Sequence, residues 1–249
     1  MKNLLFFLVF LHIFLYYVLF FFFPETHHLL EVFLLPSLFL VGLLGLRWAR
    51  NLKDPTRNSW IVLSLATFVY IIGDILWFYY DYSGLESGKA SGADLLYYIC
   101  AFFLVIGISG LLKASISKFS FRCIYLDIWT LMIIIASVVS QFLLYPLWTQ
   151  SDLDVLSRLA LLFYPLLDLL IIFFALLIAY RWPRQERAKA YWLIAGIFFW
   201  VVVDSYYLLE GIQQTYEAGN FFAPFWGFGF FCFFFALQQH VADEEKKSQ

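Results

Sequence analysis

Apolar residues run along this chain in eight long blocks, and polar or charged residues are confined to the short stretches between them. The blocks are Leu4 to Phe23, Leu29 to Leu46, Trp60 to Tyr80, Leu95 to Leu112, Cys123 to Leu144, Leu159 to Tyr180, Tyr191 to Leu209 and Phe221 to Leu237. A helix rises about 1.5 Å per residue, so about 20 apolar residues cross a hydrocarbon core of about 30 Å. The pattern predicts an all-α integral membrane protein with eight transmembrane helices, occupying residues 1–240, and a polar tail over 241–249. The first block follows Lys2 but has no small-residue cleavage site before Pro24, so it reads as a retained helix.

Charge orients the blocks. Of the 16 Lys and Arg, 14 fall at one set of alternating ends, in clusters such as Arg47, Arg50, Lys53 and Arg57, and two, Lys89 and Arg158, at the other. Basic residues stay on the cytoplasmic side, so both termini are expected there, with the loops near Lys89, Asp152 and Glu217 outside. With 63% hydrophobic and 14% charged residues, the chain cannot be a soluble enzyme. Roughly 90 residues remain for loops and tails, too scattered for a catalytic or nucleotide-binding domain. Nucleic acid is not an expected partner.

The outer ends are acidic, with Glu25, Glu31, Asp81, Asp94 and Glu210 among them and the His27-His28 pair nearby. Acids solvate loops cheaply, and the His pair lacks a third ligand at metal-site spacing. Cys100, Cys123 and Cys232 show no CxxC spacing and read as small buried residues. Trp and Tyr at both boundaries read as aromatic belts.

The two halves of the chain match in order. Arg47-Trp48-Ala49-Arg50 and Arg181-Trp182-Pro183-Arg184 close the second and sixth blocks, 134 residues apart, and Asp74 and Asp204 lie in the third and seventh, 130 apart. Four spans per unit is an even number, so two parallel four-helix repeats, about 1–118 and 119–240, would be related by an axis along the membrane normal.

Asp74, Asp168 and Asp204 are acids well inside apolar blocks, and His12 is the one cationic candidate at such depth. A charge there costs roughly 2.5–3.5 kcal/mol, so these groups are expected to face the bundle interior. The duplication would bring Asp74 and Asp204 towards one central cavity. Tyr79 and Tyr207, shortly after the two aspartates, complete the candidate polar centre. Two readings stand: a ligand- or proton-responsive centre, or hydrogen-bonded locks between helices. No nucleophile-elbow, zinc, P-loop or dinucleotide motif is present, so no residue is assigned a catalytic role, and no metal or cofactor is expected.

Gly73-Asp74-Ile75-Leu76-Trp77, Ser91 to Tyr98, Tyr164-Pro165-Leu166-Leu167-Asp168-Leu169-Leu170 and Gly196 to Tyr207 resemble the multi-span input region ahead of bacterial GGDEF-type diguanylate cyclases and some sensor kinases. The resemblance covers about residues 55–240. It implies a sensory module in the bacterial cytoplasmic (inner) membrane that passes a signal to a cytoplasmic output. The chain stops at Gln249, where a linker and cyclase would begin. The expected partners are therefore membrane lipid, a separate cytoplasmic signalling protein and a second copy of the chain. Gly73-Asp74 and Val203-Asp204-Ser205 also resemble the paired intramembrane aspartates of the eight-span lysoplasmalogenase-like family, which implies a lipid hydrolase. Here the second block lacks a Lys-Pro pair, and Leu95-Leu96-Tyr97 has no His. A small-molecule or ion transporter is the remaining alternative.

Overall fold

The computed structural model describes residues 2–83, 91–115, 122–149, 155–183, 186–213, 215–216 and 219–247. Lys89, Asp152 and Glu217, and the 118/119 boundary between the expected halves, lie outside the described residues. All regular structure among the described residues is helical. The helices are α1 (Lys2–Phe22), α2 (His27–Phe33), α3 (Leu35–Asn51), α4 (Arg57–Tyr82), α5 (Gly92–Ser115), α6 (Arg122–Val139), α7 (Tyr145–Thr149), α8 (Val155–Arg181), α9 (Arg187–Gln213) and α10 (Pro224–Lys247).

Six of the described segments are long and apolar enough to cross a membrane: 57–82, 92–114, 126–149, 161–180, 187–213 and 224–246. A shorter apolar stretch, Phe6–Phe22, lies within α1. The chain is a multi-pass membrane protein. Large apolar side chains such as Phe7, Phe14, Ile72, Phe102 and Phe198 stand on the outside of the bundle, where lipid rather than water suits them.

Proline shapes the local breaks. Pro36 lacks an N–H and its ring collides with the carbonyl one turn back, and the rod splits at Leu34 into α2 and α3. Ser37 Oγ donates to the Leu34 carbonyl at 2.8 Å, which also accepts the Leu38 N–H at 3.1 Å. Ahead of Pro146 the helix widens into a π-helical turn over Ser140–Leu144. Pro224 sits at the first position of α10, where its missing N–H costs nothing.

Neighbouring helices close a ring: α3 packs on α4, α4 on α5, α5 on α8, α8 on α9, α9 on α10, and α10 on α3. Glycines bring backbones together, as expected where lipid supplies no hydrophobic drive. A Cβ at Gly196 on α9 would lie 2.6 Å from the Phe233 ring and 2.9 Å from the Gly229 carbonyl on α10. Helix α10 is the most enclosed span, with Phe230 to Leu237 all buried. Helix α1 runs along it, Phe6 against Phe235 at 5.1 Å, and Tyr16 OH donates to the Asn220 carbonyl at 2.8 Å. Helix α6 flanks α8 outside the ring, with Ile128 its one fully buried side chain among the described residues.

Where α3, α8 and α10 end and α4 and α9 begin, the bundle closes on a buried polar network. Asp54 makes an Asx turn into α4, accepting the Thr56 N–H at 2.9 Å and its hydroxyl at 2.7 Å on Oδ1. Its Oδ2 faces His240 Nε2 at 2.6 Å, and Lys189 Nζ lies 3.2 Å from His240 Nδ1. Lysine carries only donors, so Nδ1 accepts and Nε2–H donates. Lys189, one of the 14 basic residues at the expected cytoplasmic ends, is 0% exposed and pairs with Glu186 at 2.8 Å and Asp243 at 3.5 Å. Burial pushes the Asp54 carboxyl up, but hydrogen bonds from Thr56 and the adjacent His240 outweigh it and hold it below its ordinary value. The expected tail from residue 241 is instead a helical continuation of α10 as far as Lys247, with Ala242 buried.

Candidate functional site: an aromatic cavity with three carboxyls

A small cavity of about 40 Å³ lies inside the ring towards the end opposite the Lys189 network. Asp74 is eight residues before the end of α4 and Asp204 nine before the end of α9, so both lie roughly 12–14 Å below that end. Both aspartates, with Asp168 of α8, line this one space.

The walls are built from matched positions. Tyr70, Asp74 and Trp77 of α4 recur 130 residues later as Trp200, Asp204 and Tyr207 of α9, and all six line the cavity. The aromatic members meet across it, Tyr70 against Trp200 at 5.6 Å between ring centroids and Trp77 against Tyr207 at 5.9 Å. Each aspartate is held by an aromatic donor from the following helix. Tyr97 OH of α5 donates to Asp74 Oδ1 at 2.8 Å, and Trp226 Nε1–H of α10 donates to Asp204 Oδ1 at 2.5 Å. At the mouth, Tyr216 packs against Trp77 and Tyr207 at 6.1 and 4.8 Å.

Asp168 has no acidic counterpart on α3, where Leu38-Phe39 stands in the corresponding stretch. Its side chain is 4% exposed and lies beside the Asp204 carboxyl. Its Oδ2 is buried with no hydrogen-bond partner among the described residues. Among the described residues no Lys, Arg or His lines the cavity.

Beside this space, Asp94 forms a separate lock. It sits in the first turn of α5, where a carboxylate complements the exposed N–H groups, and accepts from Ser91 N–H and Oγ at 2.5 and 3.0 Å and from Tyr164 OH of α8. The acidic-rim reading of Asp94 is thereby corrected, since the residue is 4% exposed and bridges two helices.

Of the sequence candidates, Asp74, Asp168, Asp204 and Tyr207 come together. His12 and Tyr79 do not line the cavity. His12 packs edge-on against Phe33 at 4.5 Å, where α1 meets α2, and Tyr79 is 57% exposed on the outside of α4. Sequence reasoning missed Tyr70, Tyr97, Tyr164, Trp200 and Trp226, although the 130-residue spacing of the aspartates, extended one turn either way, picks out Tyr70/Trp200 and Trp77/Tyr207. Comparison with known proteins returned no matching family, no matching characterised protein and no matching solved structure.

Proposed function

We propose that this chain is the ligand-receiving membrane module of a bacterial signalling system. In this reading all eight helical blocks cross the inner membrane, both termini are cytoplasmic, and two parallel four-helix halves enclose the ligand site. The ring order supports the duplication, because α3–α4–α5 and α8–α9–α10 take equivalent places in it. The matched cavity residues support it independently.

The observation that carries the receptor reading is the cavity's relation to α10. This helix contributes Trp226 to the cavity wall and runs unbroken to His240 and Asp243 in the buried network at the other end. A ligand that repositions Trp226 moves a rod whose far end is gripped by α4 and α9, a geometry suited to passing a signal along the membrane normal. The test is cross-linking mass spectrometry in native membranes from a photo-reactive residue at Glu245, which is exposed. A reproducible cytoplasmic signalling protein is the expected capture. Cross-links to lipid and bundle helices alone would remove the reading.

One observation favours a second reading. Neighbouring carboxyls such as Asp168 and Asp204, which line one cavity, have the arrangement of an acid–base pair, as an intramembrane hydrolase requires. Lysophospholipid or lysoplasmalogen hydrolysis by the purified chain, abolished by Asp204→Asn, would establish that reading instead.

A further inference from the structure

We infer that the cavity is a binding site for a small organic ammonium ion carrying at least one N–H, with Asp168 as its anchor; the inference deepens the receptor reading by naming the class of ligand. Three independent features converge. The walls are largely aromatic faces, and the quadrupole of Trp and Tyr rings attracts a cation, most strongly where water is excluded. Three carboxyls line the space, and among the described residues no basic side chain lines it to balance them. Asp168 Oδ2 is a buried acceptor with no hydrogen-bond partner among the described residues.

An unpartnered carboxylate oxygen inside a bilayer is costly, and a bound donor that also carries positive charge relieves both deficits at once. An ammonium N–H on Asp168 Oδ2 would sit among the rings of Tyr70, Trp200 and Trp77. Anions are excluded by the carboxyls. A neutral alcohol could satisfy Oδ2 but would leave the charge unbalanced. A bare metal ion would need several oxygen ligands, and among the described residues no cluster of three metal-ligating side chains exists.

The experiment uses the full chain in phosphatidylcholine nanodiscs, with empty discs as reference, and three probes that share one ring: benzylammonium, benzyltrimethylammonium and benzyl alcohol. Binding is followed by calorimetry and by tryptophan fluorescence, since Trp77, Trp200 and Trp226 line the site. Benzylammonium is expected to bind saturably with one site per chain, at least tenfold tighter than the alcohol. Asp168→Asn should weaken it at least tenfold, and Trp200→Leu at least threefold, while Asp127→Asn, at an exposed position outside the cavity, should change nothing. Equal affinity for the alcohol, or no saturable binding of benzylammonium, would overturn the proposal. Tighter binding of the trimethyl probe that is indifferent to Asp168→Asn would overturn the anchor. The three-probe comparison on the unaltered chain decides the ligand class even if a variant fails to fold. Failure of the receptor reading registers separately, as the absence of a cytoplasmic partner at the end of α10.

Discussion

Replacing Asp54 by Asn isolates the contact that ties α10 to the start of α4. Asparagine keeps the Oδ1 acceptor for the Thr56 N–H, so the turn into α4 survives, and only the oxygen facing His240 Nε2 at 2.6 Å is altered. The Asp54 and His240 side chains are 18% and 8% exposed, so water replaces little of what is lost. Hydrogen bonds to charged groups are worth about 1.5–3 kcal/mol when buried. Allowing for the residual amide contact, the coupling in a double-mutant cycle of Asp54→Asn with His240→Gln should be about 1–2 kcal/mol. The assay is equilibrium unfolding of the full chain in mixed micelles, read by tryptophan fluorescence at pH 7. The pH course checks the cause. Asp54 has a folded-state value below its ordinary one, so its contribution is complete above about pH 4, the unfolded carboxylate range, and is lost as pH falls through the lower folded value. The gap between wild type and Asp54→Asn should therefore be flat from neutrality to about pH 5 and close on further acidification. A coupling below about 0.3 kcal/mol, or a gap that widens in acid, would refute the argument.

Gly196→Val should cost about 1–3 kcal/mol by forcing α9 off α10, and retained stability would mean Phe233 moves aside freely. Tyr164→Phe removes a donor from buried Asp94 and should destabilise by about 1–3 kcal/mol, measured in the same micelles. Asp204→Asn keeps an acceptor for Trp226 and should fold, whereas Asp204→Leu strands the indole N–H and should lower the thermal midpoint by several degrees. Cysteines placed at the exposed positions Asn51 and Ser83 should label from opposite sides, Ser83 alone reacting with an impermeant maleimide in intact cells. Labelling of both would break the proposed topology.

Hydropathy was enough to read the six long apolar helices and the shorter one within α1, because a bilayer demands unbroken apolar length. The buried faces were not legible to the same degree. In lipid both sides of a helix are apolar, so periodicity cannot separate Tyr79, which faces outward, from Tyr97 or Trp200, which face the cavity. The in-span aspartates escaped this ambiguity, since the cost of a carboxyl in hydrocarbon directs it inward whatever its neighbours. Near the helix ends that logic fails. Asp94 and Lys189 lie where water could solvate them, and only the approach of Tyr164 and His240 from distant parts of the chain makes them interior.

The matched cavity walls raise a question of handedness. A chamber whose two sides carry the same residue classes at equivalent places would accept an elongated guest in either of two opposed poses with nearly equal energy. Occupancy would then be divided between the two poses. Asp168 removes that degeneracy. It is an acid on one side only, and the corresponding stretch of α3, Leu38-Phe39, contributes nothing to the cavity wall. A single departure from symmetry therefore gives the chamber a direction, towards the side whose last helix continues to the Lys189 network.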